Sequence, residues 1–223
     1  MRSSANLPRV TVRPLSLILA SASPARLALL TQAGVRPTVF VSSVDEEAVL
    51  AQARRTYAAL APADVGLLLA RAKAEDVAAQ CQGALVLGCD SILELDGEIH
   101  GKPADEAQAV ARWQRMSGRS GTLHTGHWLI DRRDPHAGGT AGIVGATAST
   151  EVHFGAVTPA DIAAYVATGE PLRVAGAFTL DGLGAPYIDG VTGDPSNVVG
   201  LSLPLLRALL GNFGIRWAYL LSR

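Results

Sequence analysis

Apolar positions along the chain fall into short runs and helix-spaced sets that alternate. Residues 15–20 (LSLILA) form a compact apolar run that suits a buried strand. Ser23 and Pro24 follow. Serine caps helix N-termini well, and proline fits the first helical position, where its missing N–H would be unpaired anyway. Leu27, Leu29 and Leu30 lie on that helix, and Gly34 marks its stop. Residues 38–42 (TVFVS) are β-rich and read as a second strand. From 62 to 80, Val65, Leu68, Leu69, Ala72 and Val77 recur at helix spacing.

Residues 84–95 (ALVLGCDSILEL) read as a long strand with a polar interruption, Asp90-Ser91. Asp96-Gly97 signals a hairpin, 98–102 return, and 105–116 make a helix closed by Ser117-Gly118. Strands are expected at 123–131 and 148–157, joined by a Gly-, Ala- and Arg-rich stretch, 132–145, expected to be the most mobile loop. Thr158-Pro159 with Asp161 starts a helix ending near Gly169. Residues 175–200 are expected as strands and turns, 201–210 as a helix, and 215–221 as a last strand. The pattern is that of a mixed α/β domain in two lobes, spanning 15–223 after an N-terminal extension, 1–14.

Composition narrows the function. Charged residues make up only 17% of 223, against roughly 25% in ordinary soluble domains. The apolar share, 48%, is too high for a disordered chain. A formal net charge of −1 argues against a nucleic-acid polymer as partner, since phosphate contacts need a cationic surplus. No apolar run is long enough to span a membrane, and the first 14 residues lack a signal-type apolar stretch. Two cysteines, Cys81 and Cys89, do not make a disulfide scaffold. A cytoplasmic protein is expected.

Sparse charges make each polar cluster informative. Ser21, Ser23 and Arg26 surround a helix N-terminus, an end attractive to anions; the alternative is a capped helix with a surface arginine. Asp45, Glu46 and Glu47 could supply oxygen ligands to a hard divalent cation, or form a solvated loop. Asp90 interrupts an apolar strand, where a carboxylate is costly unless paired, coordinated or facing a cleft. Lys73 and Lys102 each read alone as snorkelling lysines. Facing a carboxylate–metal centre together with Arg26, they would suit a polyphosphate. The sequence has no Walker loop, zinc spacing, nucleophile elbow or dinucleotide fingerprint.

The run Ala20-Ser21-Ala22-Ser23-Pro24-Ala25-Arg26 resembles the A-S-x-S-P-R-R signature of the Maf family. The likeness continues in order through Asp45-Glu46, Lys73-Ala74, Gly88-Cys89-Asp90-Ser91, Gly101-Lys102-Pro103, Ser117-Gly118-Arg119, Thr125-Gly126 and Gly169-Glu170. It runs on through Ala175–Ala177-Phe178, Asp181-Gly182-Leu183-Gly184, Gly193-Asp194 and Asn197-Val198-Val199-Gly200 to Leu203-Pro204-Leu205. The resemblance implies a mixed twisted sheet with flanking helices in two lobes around a deep cleft, often as a homodimer. It implies a cytoplasmic nucleoside triphosphate pyrophosphatase that cuts between the α- and β-phosphates with a divalent metal, Mg²⁺ or Mn²⁺. Removal of non-standard nucleotides, or restraint of septum formation, would be its role.

Carried over by position, the resemblance makes Asp90 the proton acceptor, with Glu46 and Asp90 on the metal. Lys102 stands with them in the catalytic set. Ser21, Ser23, Arg26 and Lys73 fall at the phosphates. Ala25 stands where the pattern has the first arginine of a pair. Asp181 stands where subfamilies carry Gln or Glu, a position tied to base selection. Two other readings stay open on the residues: a nucleotide-binding regulator of cell division with little catalysis, suggested by Ala25, and a general phosphohydrolase, suggested by Asp181.

Overall fold

A computed structural model describes residues 14–57 and 59–222. The proposed N-terminal extension therefore lies, but for Pro14, outside the described residues. In chain order the elements are β1 (Leu17–Leu19), α1 (Pro24–Gln32), β2 (Thr38–Val39), α2 (Glu46–Thr56), α3 (Pro62–Ala78), β3 (Leu85–Leu95) and β4 (Glu98–His100). Then come α4 (Glu106–Met116), β5 (Ser120–Asp131), β6 (Ile143–Phe154), α5 (Pro159–Ala167), β7 (Ile188–Thr192), α6 (Pro195–Val199) and α7 (Leu203–Asn212). The strands form one seven-stranded sheet in the order β2-β1-β3-β5-β6-β7, with β4 also paired to β3. β1 runs parallel to β2 and β3; every other pairing is antiparallel. The expected mixed α/β sheet with flanking helices is what forms.

Local chemistry accounts for most element ends. The side chains of Ser23, Asp105, Thr158 and Ser202 each accept a hydrogen bond from a first-turn backbone N–H, capping α1, α4, α5 and α7. Asp96 and Gly97 both have positive φ, 55° and 78°, which gives the tight β3–β4 hairpin.

Four expectations change. Asp45-Glu46-Glu47 is not a loop: Asp45 caps α2, and the two glutamates fill its first turn, with Arg54 and Arg55 in the last. That charge order complements the helix dipole. Residues 215–221 do not form a strand. Ile215 and Leu220 are both buried in the core, and their spacing of five cannot place both on one face of a strand. The chain there takes a 3-10 turn, Trp217–Tyr219, and only Leu221 bridges to Val35. In 175–200, just β7 pairs as a strand, and residues 195–199 form helix α6 where strands and turns were expected. The loop expected at 132–145 shortens to 132–142 and is tied down. The Asp131 carboxylate accepts from the Arg133 guanidinium at 2.8 and 2.9 Å and from the Thr140 backbone N–H and hydroxyl at 2.8 and 2.9 Å.

Among the described residues, the two largest apolar cores flank the middle of the sheet. One gathers Leu17, Leu19, Leu30, Leu85, Leu87, Leu129, Leu206 and Leu210. The other gathers Leu93, Trp113, Met116, Leu123, Phe154, Tyr165 and Phe178. Between them, Asp90, Thr125 and Asn197 are buried polar residues.

Helix α3 lies directly on the sheet. A Cβ on Gly88 would sit 2.2 Å from the Ala70 carbonyl oxygen, and one on Gly126 would sit 2.3 Å from that of Gly66. Side chains at those sheet positions would lift the helix. Gly88→Ala should therefore cost roughly 1–3 kcal/mol of stability through overpacking. A thermal melt indistinguishable from the parent would contradict that contact.

His127, fully buried, ties β5 to α7. Its Nε2 accepts from the Ser202 backbone N–H at 2.8 Å, so Nδ1 carries the proton and donates to the Thr125 carbonyl at 2.9 Å. Burial holds this imidazole down at about 4. Its contribution is complete above the unfolded value near 6.5 and is lost as pH falls toward 4, because only the unfolded chain takes up the proton there. From His127 alone, unfolding free energy should drop by about 2 kcal/mol between pH 7 and pH 5. Urea titrations of His127→Gln should show a correspondingly shallower loss over that interval; parallel slopes would refute this origin.

Candidate active site

The edge of β3 opposite β5 is shared by two partners. β1 pairs with 85–87, and β4 pairs with 93–95. Among the described residues, 88–92 have no strand on that edge. Asp90 lies in the gap, close to the end of parallel strand β1, where crevices in α/β sheets form.

Asp90 is 8% exposed. The Lys73 ammonium, on α3, donates to Asp90 Oδ1 at 2.5 Å and lies 2.7 Å from Glu46 Oε1. Helix α2 carries Glu46 in its first turn, so one lysine gathers two carboxylates from a strand and a neighbouring helix. Burial pushes the Asp90 carboxyl above the ordinary carboxylate range, against the opposing pull of Lys73 and Arg26. Burial also presses on the Lys73 ammonium, but Asp90 and then Glu46 outweigh it and hold its pKa above the usual lysine value.

On the other face, Arg26 is 8% exposed and so is no surface arginine. Its Nε donates to the Gly200 carbonyl at 2.7 Å, and its two terminal nitrogens donate to Ser21 Oγ and Ser91 Oγ, each at 3.0 Å. Ser91 Oγ lies 2.9 Å from Thr125 Oγ1. All these partners are neutral, so the guanidinium keeps its full charge beside the α1 N-terminus, where anions are favoured. Ser23 caps that helix, and its backbone N–H donates to Ser21 Oγ at 3.2 Å.

The structure thus brings together Glu46, Lys73 and Asp90, and separately Ser21, Arg26 and Ser91. Asp90 feels both cations. Lys102 and Asp181 are exposed and join neither group by hydrogen bonds or ion pairs among the described residues. Asp181 sits in a turn organised by Glu170, which the residue-level reading passed over. The Glu170 carboxylate accepts from the Tyr165 hydroxyl at 2.8 Å and from the Leu183 and Gly184 backbone N–H groups, both at 3.1 Å. Its one sequence signal was a carboxylate directly after the helix-ending Gly169. Ser91 and Thr125 stood in the sequence motifs without a role, because a hydroxyl in a strand has no pattern of its own. Cys89, beside Asp90, is fully buried, and burial pushes its thiol up to about 12, so it is not a nucleophile.

Among the described residues, no group of three or more His, Cys, Asp or Glu side chains could enclose a metal. The donor set still fits a hard cation of one type. Glu46 and Asp90 each present an oxygen to the same ammonium, so both face one point. Mg²⁺ commonly binds through one or two carboxylates and takes its other ligands from phosphates and water.

The family described as Maf-like protein matches residues 16–213. A nucleoside triphosphate pyrophosphatase of Streptomyces coelicolor is 59% identical over 89% of this chain and 90% of its own length. One from Salinispora tropica is 54% identical over 94% of the chain and 89% of its own. One from Leifsonia xyli is 51% identical over 93% and 97%.

The geometry sets a direct test of the central pair. Lys73→Met removes the cation that favours ionised Asp90, so the Asp90 carboxyl should titrate at still higher pH. Carboxyl-carbon NMR of the two proteins would read the shift. An unchanged or lower midpoint would mean that Lys73 does not govern Asp90.

Proposed function

The chain belongs to the Maf-like protein family, and from that premise we propose that it is a nucleoside triphosphate pyrophosphatase that hydrolyses the α–β phosphoanhydride to a nucleoside monophosphate and pyrophosphate. The observation that carries the reading is Asp90, a buried carboxylate at the free edge of β3 with a lysine and an arginine close by.

Asp90 is the general base. A carboxyl held above its ordinary range is a stronger proton acceptor than a solvated one. It takes a proton from the water that attacks phosphorus, and the bond to the bridging oxygen breaks as pyrophosphate leaves. Arg26, with Ser21 and the α1 N-terminus that Ser23 caps, binds phosphate oxygens. Lys73 stands between Glu46 and Asp90 and offsets charge on the polyphosphate side of the site. Glu46 and Asp90 would hold a divalent metal, Mg²⁺ or Mn²⁺, which when bound supplies Lewis-acid stabilisation of phosphoryl charge.

Lys102 completes the phosphate site from the far side of the gap. The β3–β4 register pairs Leu93 with His100. Lys102 follows two residues after His100, the last residue of β4. Asp181, exposed in the turn that Glu170 organises, is the candidate for reading the base. No helix among the described residues is long and apolar enough to cross a membrane. Two free cysteines fit a reducing cytoplasm. Exposed Phe40 and Val41, next to edge strand β2, offer a surface for a homodimer.

The test is a panel of common and modified nucleoside triphosphates with Mg²⁺ or Mn²⁺ and identification of products. Monophosphate and pyrophosphate are expected, and release of orthophosphate would exclude α–β cleavage. Asp90→Asn should lower kcat by at least about 100-fold, as for loss of a general base, with an unchanged circular dichroism spectrum. Tight nucleotide binding without turnover in any metal would favour the regulator instead.

A further inference from the structure

Arg112 is a buried cation that the phosphate site does not use. It lies on α4, is 7% exposed, and has no carboxylate in ion-pair range among the described residues. Burying an unpaired guanidinium costs several kcal/mol unless other contacts compensate. Its one side-chain hydrogen bond among the described residues goes from Nη1 to the Gly101 carbonyl at 2.5 Å. The residue after Gly101 is Lys102.

Two further contacts converge there. The Gly176 backbone N–H donates to the same Gly101 carbonyl at 3.1 Å. Trp113, adjacent to Arg112 on α4, donates from its indole nitrogen to the Ala177 carbonyl at 2.7 Å. Successive residues of one helix thus hold two loops, the first at Gly101 and the second at Ala177, and the loops hold each other. The second loop carries positive φ at Gly176 and Ala177, 75° and 64°, so it does not take this shape by local preference alone.

Lys102 itself has no partner of this kind among the described residues. It is exposed, with a flexible stem. What fixes its position is the carbonyl of the residue before it. Pro103 is buried and stiffens the backbone on the other side. We propose that Arg112 is a positioning residue for catalysis: by gripping the Gly101 carbonyl it sets the backbone from which Lys102 reaches the substrate phosphates. The proposal rests on the phosphate-binding role given to Lys102 above.

A kinetic double-mutant cycle separates this from a merely structural role. Arg112→Met, Lys102→Met and the double variant are compared with the parent. The substrate is the nucleoside triphosphate turned over fastest in the panel, at saturating Mg²⁺. Arg112→Met should lower kcat/KM roughly 10- to 100-fold, the scale of a small misplacement of a catalytic group. In the Lys102→Met background the same change should cost less than about threefold, because the group it positions is gone. Arg112→Lys keeps a donor for the carbonyl and should recover most of the activity. Arg112→Gln, whose shorter side chain does not span to the carbonyl, carries the cycle if Arg112→Met folds poorly.

Thermal melts distinguish the alternatives, since a structural loss would lower Tm equally in both backgrounds and lower kcat/KM equally too. Equal kinetic losses in the two backgrounds would overturn the role of Arg112 while leaving Lys102 in place. A Lys102→Met variant with parental kcat/KM would overturn the role of Lys102, and the proposal with it.

Discussion

Helix α3 meets the sheet backbone to backbone, at Gly66 against Gly126 and at Ala70 against Gly88. That contact sets the helix height over β3 and β5 to within a few tenths of an ångström, since dense interiors yield little. Lys73 is the residue before Ala74, whose own atoms face Gly88. The lysine therefore reaches Asp90 at 2.5 Å because the helix cannot rise. Helix α2 packs against α3 through Val49, Leu50 and Val65, and brings Glu46 to the same lysine. The polar centre is positioned by apolar and glycine contacts, with few polar ones of its own.

Charge is arranged around this contact with little surplus. Lys73 and Arg26 are opposed by Asp90 and Glu46, and each cation approaches from a different face of the sheet. A buried carboxylate facing two cations stays ionisable, yet desolvation keeps it a better base than a free aspartate. Arg26 leans on neutral oxygens alone, so it attracts further negative charge. On the proposed function, this division lets a chain with few charges meet a polyphosphate. Arg26, Glu46, Lys73 and Asp90 stand where the two largest cores meet.

That meeting point is where the sheet changes partners. β1 leaves the edge of β3 after residue 87, and β4 joins it at 93. The interval exposes one strand edge between the α1 N-terminus on one side and the Gly101–Pro103 turn on the other. Each border is braced at a distance. Arg26 holds Gly200, and α4 holds Gly101 and Ala177. Residues remote in sequence thus fix the width of the opening.

Periodicity, caps and turn residues in the sequence were enough for α1, α3, α4, α5, α7 and the β3–β4 hairpin, because those features act within a few residues. That Asp90 needs a partner was legible too, since a carboxylate inside an apolar strand conflicts with its neighbours wherever the strand lies. Other features were decided by tertiary structure. Helix α2 looked like an acidic loop until its cap and charge order were seen together. The strand expected at 215–221 gave way because Ile215 and Leu220 both had to reach one core. Arg26 was expected at the phosphates with a surface arginine as the alternative, and nothing local reveals that Gly200 will lie over it. The pairing of Lys73 with both Glu46 and Asp90, and the grip of Arg112 on Gly101, depend on long-range packing. Local sequence sets which conformations each segment favours, whereas distances between segments are set only when the cores close.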